Sequence, residues 1–242
     1  MILTPLTAIG FDADDTLWHN ERFYTLTQDR FAALLADHAE KHDLMARLLA
    51  AERRNLPHYG FGIKGFTLSM IETAIEITDG RVPAGVIAEI LAAGREMLSH
   101  EVELLPGARE VLERLQGRYT LILITKGDLM DQERKLALSG LRDRFDAVEI
   151  VSDKTRQTYR RIFDRHGSGP AEGMMVGNSM RSDIVPMIEA GGRGVYVPHG
   201  TPWEIEHAEA PDDPRFAEIV QLDDLHGLLD DLPPARLANV AP

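Results

Sequence analysis

Two aspartates, Asp12 and Asp14, stand two residues apart directly after a short apolar segment near the start of the chain. Such a segment is typical of a buried strand, and ligands of open α/β sheets bind just beyond the carboxyl ends of strands. One carboxylate there can attack an electrophile while the other gives and takes a proton. A hard divalent cation would offset their mutual repulsion. The competing interpretation is an acidic turn in which Asp15 or Thr16 only caps the next segment.

Further polar side chains follow apolar segments later in the chain. Thr125 ends the segment 119–125, and a hydroxyl with neighbouring N–H groups at a strand end can hold a phosphate oxygen, although β propensity alone also explains a threonine there. Lys154 follows the segment 147–151. A lysine there would offset the two carboxylates and stabilise phosphoryl charge, unless it lies at the surface, as most lysines do. Lys126 competes for the same role.

The elements that must position these residues alternate in a regular order. Apolar positions recur at helical spacing between about residues 21 and 100, which predicts about four helices, with a glycine-rich loop at 58–65. Strands are predicted at 7–11, 119–125, 147–151, 174–176 and 194–197, and helices at 108–115, 129–139, 157–166 and 182–190. Short apolar strands alternating with helices indicate an α/β fold, a doubly wound parallel sheet covered on both faces, with an inserted helical domain.

The composition excludes several classes of function. The 242 residues carry a formal net charge of −13, which opposes general binding to nucleic acid, and the absence of cysteine excludes disulfides and thiolate chemistry. The apolar N-terminus lacks a basic start and a cleavage site, and no apolar stretch is long enough for a membrane helix. We therefore expect a cytoplasmic protein with no membrane or nucleic-acid partner, as a monomer or homodimer.

The segment Phe-Asp-Ala-Asp-Asp-Thr-Leu at 11–17 resembles motif one of the haloacid-dehalogenase-like hydrolases, in which a strand is followed by the pattern DxDxT. The resemblance implies that Asp12 is a nucleophile that forms an aspartyl-phosphate. It implies that Asp14 protonates the leaving group and later activates water, while its main-chain carbonyl contacts Mg²⁺. Asp15 stands where the family often has glycine.

The other motifs of that family follow in order. The segment ending at Thr125 resembles motif two, and Lys154 has the place of motif three, although Thr155 follows it where the family often has proline. Residues 176–183 resemble motif four, with Asn178 replacing the usual first acid. The resemblance thus implies phosphate binding by Thr125, Lys126 and Lys154, and Mg²⁺ ligation by Asp12, Asp14, Asn178 and Asp183. Taken alone, Asp183 could equally cap the following helix.

The resemblance also implies a domain division and an activity. It implies a Rossmann-like core at 1–18 and 102–242 and a helical cap of the C1 type at 19–101. Asp14 favours an Mg²⁺-dependent phosphatase of a small phosphorylated metabolite, because an alcohol oxygen needs an acid to leave and a halide does not. The alternatives are a 2-haloacid dehalogenase, which Asn178 favours, a phosphonate hydrolase using Lys64, a phosphomutase, and a non-catalytic phosphate-binding scaffold.

Overall fold

The structure is a computed structural model that describes residues 5–201 and 203–230. The chain divides into two compact units. The described part of the first comprises residues 5–19, 103–125, 136–201 and 203–230, and the second comprises residues 20–102 and 126–135. The second unit thus consists of the inserted helical segment together with ten residues that follow Thr125.

A six-stranded parallel sheet with the order β3-β2-β1-β4-β5-β6 forms the centre of the first unit. In register, Phe11 of β1 lies between Leu123 of β2 and Val176 of β4. The sheet confirms the predicted α/β class, because helices flank it. Its strands are β1 (Ala8–Phe11), β2 (Thr120–Lys126), β3 (Ala147–Val151), β4 (Gly173–Gly177), β5 (Arg193–Tyr196) and β6 (Phe216–Glu218).

The helices bury one face each, as their apolar spacing requires. In the first unit, Tyr159, Ile162 and Phe163 of one helix pack against Ile122 and Met175 of the sheet. The helices are α1 (Glu21–Leu34), α2 (Lys41–Tyr59), α3 (Ile63–Ile77), α4 (Ala84–Met97), α5 (Ala108–Leu115), α6 (Leu129–Ser139), α7 (Arg156–His166), α8 (Val185–Ala190) and α9 (Leu225–Asp230). None of the helices in the described ranges is long and apolar enough to cross a membrane.

The second unit has its own core, formed by α1 to α4 around Phe31, Phe66 and Met70. The residues after β2 are held within this unit. Asp128 pairs with the Lys64 ammonium at 3.2 Å. The Lys126 ammonium lies 3.7 Å from the centre of the Phe61 ring.

Three local features differ from the sequence predictions. The loop expected at 58–65 is confined to residues 60–62. Gly60 and Gly62 take positive φ values of 72° and 121°, which interrupt the helix there, while the residues on either side remain helical. The helix expected at 182–190 begins as a π-helical turn, Met180–Ile184, before α8. Strand β6 was missed because three residues show no periodicity. Residues 233–242, for which the proline-rich sequence predicts a frayed end, lie outside the described residues.

Candidate active site

The candidate site lies at the carboxyl ends of β1, β3 and β4. Asp12 follows β1, and its N–H donates to the Val176 carbonyl at 2.9 Å, which places it beside the end of β4. Asn178 follows β4, and Lys154 follows β3 by three residues. Parallel strands end at one edge of a sheet, so residues far apart in the chain meet there.

Lys154 joins two of the predicted aspartates. Its ammonium donates to Asp12 Oδ1 in a short contact and to Asp183 Oδ1 at 2.7 Å. The lysine is 4% exposed, so the surface interpretation is wrong. Lys126, its competitor, instead lies over Phe61 in the second unit. The counter-charge of the nucleophile candidate is therefore Lys154.

Burial governs the protonation of this group of residues. It raises the pKa of Asp12 to about 7; Lys154 opposes the rise, and the negative charges of Asp183 and Asp14 add to it. Burial alone would lower the pKa of Lys154, but the attraction of Asp12 and Asp183 outweighs it and raises that pKa. One ammonium cannot neutralise two buried carboxylates, so the site has an affinity for a further positive charge.

Oxygen atoms of the first motif converge on the side chain of Asn178. With its amide nitrogen facing them, the orientation its neighbours favour, Asn178 donates to Asp12 Oδ2 at 3.3 Å and to the Asp14 carbonyl at 3.1 Å. The Thr16 hydroxyl donates to the same Asp12 oxygen at 3.0 Å and accepts the Asn178 main-chain N–H. A carboxylate oxygen of Asp12 and the main-chain carbonyl oxygen of Asp14 thus lie near the same side-chain atom of Asn178. Oxygens of these two kinds are the ligands that Mg²⁺ prefers.

The residues present fit an Mg²⁺ ion. Within residues 5–201 and 203–230, no three histidine, cysteine, aspartate or glutamate side chains are grouped to hold a metal. The candidate ligands are instead Asp12 Oδ2, the Asp14 carbonyl and the Asn178 amide, whose oxygen can replace its nitrogen by rotation. Asp183, the fourth predicted ligand, makes two other contacts, because its Oδ1 accepts from Lys154 and its Oδ2 accepts the Ser179 N–H at 2.9 Å.

Asp183 does not cap the helix that follows it. Its carboxylate accepts the N–H of Ser179, four residues earlier, and Ser179 is itself the cap of the π-helical turn. Asp183 is fully buried and lies against Gly177, where an added Cβ would come within 2.3 Å of Asp183 Oδ2. The glycine at the end of β4 thus leaves room for this carboxylate.

We expect Gly177→Ala to displace Asp183 from Lys154. The added Cβ would clash with the Asp183 carboxylate, which hydrogen bonds hold on both sides, so a small side-chain movement cannot relieve the clash. We expect the resulting strain to lower the free energy of unfolding by about 1–3 kcal/mol. Thermal unfolding and turnover of the variant would measure this. Gly85→Ala, on α4 with no atom within 4 Å of the added Cβ, is the control. Equal unfolding midpoints for both variants would contradict the account.

Asp14 has a different environment. It is half-buried, and the indole N–H of Trp18 donates to its Oδ1 at 2.8 Å. Trp18 is fully buried, so its N–H needs such an acceptor. The next residue, Asp15, has a left-handed backbone with φ 59° and lies 3.9 Å from His199 Nε2. The turn therefore fixes the orientation of the Asp14 carboxylate.

Thr125 is buried one residue before the end of β2 and two residues beyond Leu123, the register partner of Phe11. The structure thus brings Asp12, Lys154, Asp183, Asn178 and the Asp14 carbonyl into contact, puts Thr125 at the same strand edge, and assigns Lys126 to the second unit.

Sequence reasoning missed three contributors: Thr16, Trp18 and Ser179. For Trp18 a pattern was available, because a tryptophan four residues after an aspartate can bond it across one turn. For Thr16, the threonine of the DxDxT pattern indicated a hydroxyl close to the first aspartate, Asp12. Nothing in the sequence distinguishes Ser179 from an ordinary loop serine.

Comparison with known proteins identifies the family of the chain. The model of the family described as haloacid dehalogenase-like hydrolase matches residues 6–191. A crystal structure of a haloacid dehalogenase-like family hydrolase from Xanthomonas campestris is 39% identical, with 93% of this chain and 95% of that chain covered and a TM-score of 0.82. No curated protein matches.

More distant structures share the fold. The putative HAD-hydrolase YfnB from Bacillus subtilis, bound to magnesium, is 18% identical, with 94% of this chain and 100% of that chain covered and a TM-score of 0.66. A 2-haloacid dehalogenase from Pseudomonas syringae pv. Tomato is 21% identical, with coverages of 93% and 98% and a TM-score of 0.59. The family model spans most of the sheet and all the residues of the candidate site, and the chain therefore belongs to the haloacid dehalogenase-like hydrolases.

Proposed function

We propose that this hydrolase is an Mg²⁺-dependent phosphatase that acts on a small phosphorylated metabolite through an aspartyl-phosphate. The observation that carries the proposal is the pair of carboxyls in different environments. Asp12 is buried against Lys154, while Asp14 is half-buried and held by Trp18. Paired carboxyls whose environments differ can divide the roles of nucleophile and acid.

Each residue has a defined part in the two steps. An oxygen of Asp12 attacks phosphorus, the bond from phosphorus to the leaving oxygen breaks, and Asp14 gives that oxygen its proton. Asp14 then takes a proton from water, whose oxygen attacks phosphorus and releases phosphate with Asp12 restored. Lys154 orients Asp12 and balances the charge that develops on the phosphoryl oxygens.

Asp12, the Asp14 carbonyl and Asn178 would hold the Mg²⁺ ion. When bound, Mg²⁺ neutralises the negative charge of the carboxylate and of the phosphoryl oxygens that approach it. Thr125, at the neighbouring strand end, would bind a phosphoryl oxygen through its hydroxyl. We assign Lys126 to the phosphate as well.

The helical unit would act as a cap of the C1 type. Its position between motif one and motif two is that of a segment that selects small substrates and excludes water. The net charge of −13 makes a local pocket of lysines and N–H groups the place for an anionic substrate. We place the protein in the cytoplasm, where such metabolites occur.

Two parallel assays test this function. Phosphate release from p-nitrophenyl phosphate would be measured with Mg²⁺ and with a chelator, and halide release from 2-chloropropionate would be measured under the same conditions. We expect metal-dependent phosphate release and no halide release. Halide release without phosphate release would contradict the proposal.

A 2-haloacid dehalogenase is the second candidate, and Asn178 is the observation that favours it. An amide instead of a carboxylate gives the site one negative charge fewer for a cation. In that reaction Asp12 would attack carbon and the halide would leave without a proton, so Asp14 would have no chemical role. Replacing Asp14 with asparagine should then leave turnover unchanged, whereas a phosphatase should lose it.

We expect Asn178→Asp to tighten Mg²⁺ binding by about tenfold or more, because the variant adds a charge to the ligand set. Without metal, the same variant should unfold at a lower temperature, since a further carboxylate would lie beside Asp12. Calorimetric titration with Mg²⁺ and melting curves in chelator would measure both effects. An unchanged dissociation constant would show that Asn178 is not a ligand.

A further inference from the structure

A short segment after β5 contacts the π-helical turn that contains Asp183. Glu206 lies in a 3-10 turn, Glu204–Glu206, and its Oε2 accepts the hydroxyl of Ser182 at 2.5 Å and the hydroxyl of Ser179 in a shorter contact. Arg181 of the same turn donates to the Ile205 carbonyl at 2.8 Å. The two segments are therefore joined at three points within the first unit.

The bond from Ser179 to Glu206 fixes the orientation of the serine. A hydroxyl has one proton to donate, and Ser179 gives it to Glu206, so its lone pairs remain to accept the Ser182 N–H at 2.9 Å. The Ser179 main-chain N–H in turn donates to Asp183 Oδ2. The carboxylate of Glu206 thus determines the conformation of the residue that holds Asp183.

The connection continues to the nucleophile candidate. Asp183 Oδ1 accepts from Lys154, and Lys154 donates to Asp12. On the other side of the turn, the Tyr159 hydroxyl donates to the Ser182 carbonyl at 2.9 Å. Burial and the charge of Asp183 raise the pKa of Tyr159, so this donor keeps its proton. Each contact from Glu206 to Asp12 is a hydrogen bond within the first unit.

We propose that Glu206 is a positioning residue of the active site, which sets the geometry of Asp183 and Lys154 through Ser179. Its effect does not depend on its charge, because one oxygen accepts both hydroxyl protons and a glutamine carbonyl can do the same. The inference rests on the proposed role of Lys154 beside Asp12. Glu206 lies outside the four family motifs of this sequence, so those motifs do not indicate its role.

The test compares Glu206→Ala with Glu206→Gln and with Glu209→Ala, a control at an exposed glutamate of the same segment. The ¹³C shift of the Asp183 side-chain carboxyl, measured without metal, reports on the geometry directly. Turnover of p-nitrophenyl phosphate reports on its consequence. We expect the alanine variant at 206 to shift the Asp183 signal and to lower kcat by about 10- to 100-fold with a smaller change in KM.

The glutamine variant should restore both the signal and kcat, and the control should change neither. Ser179→Ala, which breaks the same connection from its other end, should reproduce the alanine variant, and it serves as the test where Glu206→Ala fails to fold. An unmoved Asp183 signal, or a glutamine variant as impaired as the alanine one, would overturn the proposal. Wild-type protein with no phosphatase turnover would instead contradict the proposed function, and the Asp183 signal would still decide the positioning role.

Discussion

Asp12→Asn should lower phosphate release by at least about 10⁴-fold, because an amide cannot form the acyl-phosphate bond that the first step requires. The fold should persist. The amide has the volume of the carboxylate, and its oxygen can still accept from Lys154, which reaches Asp12 in the structure. Steady-state kinetics and a melting curve on the same sample would separate lost chemistry from lost structure.

Asp153→Asn is the matched control for this variant. Asp153 is an exposed aspartate adjacent to Lys154, and its carboxylate accepts the Lys154 main-chain N–H without reaching the ammonium. We expect its kcat within about threefold of the wild type, as for most surface substitutions. Residual turnover of Asp12→Asn above one per cent would assign the nucleophile to another residue.

Lys154→Met should both unfold more easily and lose turnover. Methionine fills a similar volume but leaves the carboxylates of Asp12 and Asp183 buried without their shared ammonium. Removing one partner of a buried ion pair costs about 3–5 kcal/mol, and for a chain of this length that lowers the melting temperature by about 10 °C. Loss of charge stabilisation at the phosphoryl group should lower kcat by about 10²–10³-fold.

The same substitution at Lys126 tests which of the two lysines stabilises the phosphoryl charge, a choice that the sequence left open. Lys126 is half-buried and lies over the Phe61 ring, a contact worth about 0.5–2 kcal/mol. Lys126→Met should therefore melt close to the wild type and affect KM more than kcat, because it is assigned to substrate binding alone. Larger losses of stability and kcat for Lys126→Met than for Lys154→Met would reverse the assignment of the two lysines.

The sequence predicted the elements that have strong periodicity. Helices α5 and α6 and strand β3 have the bounds expected from apolar spacing. The edge strand β6 was not predicted, because its half-buried residues Phe216 and Ala217 show no alternation. The loop at 58–65 was drawn too long, because glycine content marks a turn but not where the flanking helices stop.

For the candidate site, order along the chain predicted which strand ends carry polar groups but not which atoms meet. Lys154 and Lys126 both follow strands, and only the tertiary structure shows that one reaches Asp12 and the other Phe61. The contact of Glu206 with the π-helical turn depends on an irregular segment after β5, for which neither helical nor strand periodicity applies. Such contacts need coordinates because no local pattern encodes them.

The hydrogen bond between Trp18 and Asp14 has a use in spectroscopy. We expect the emission of an indole whose N–H donates to a carboxylate to change when that carboxylate gains a proton or changes its contacts, so Trp18 would report on Asp14, the proposed proton donor. The chain contains one other tryptophan, Trp203. A Trp203→Phe protein would emit from Trp18 alone, and stopped-flow emission could then follow the state of Asp14 during a single turnover without any added label.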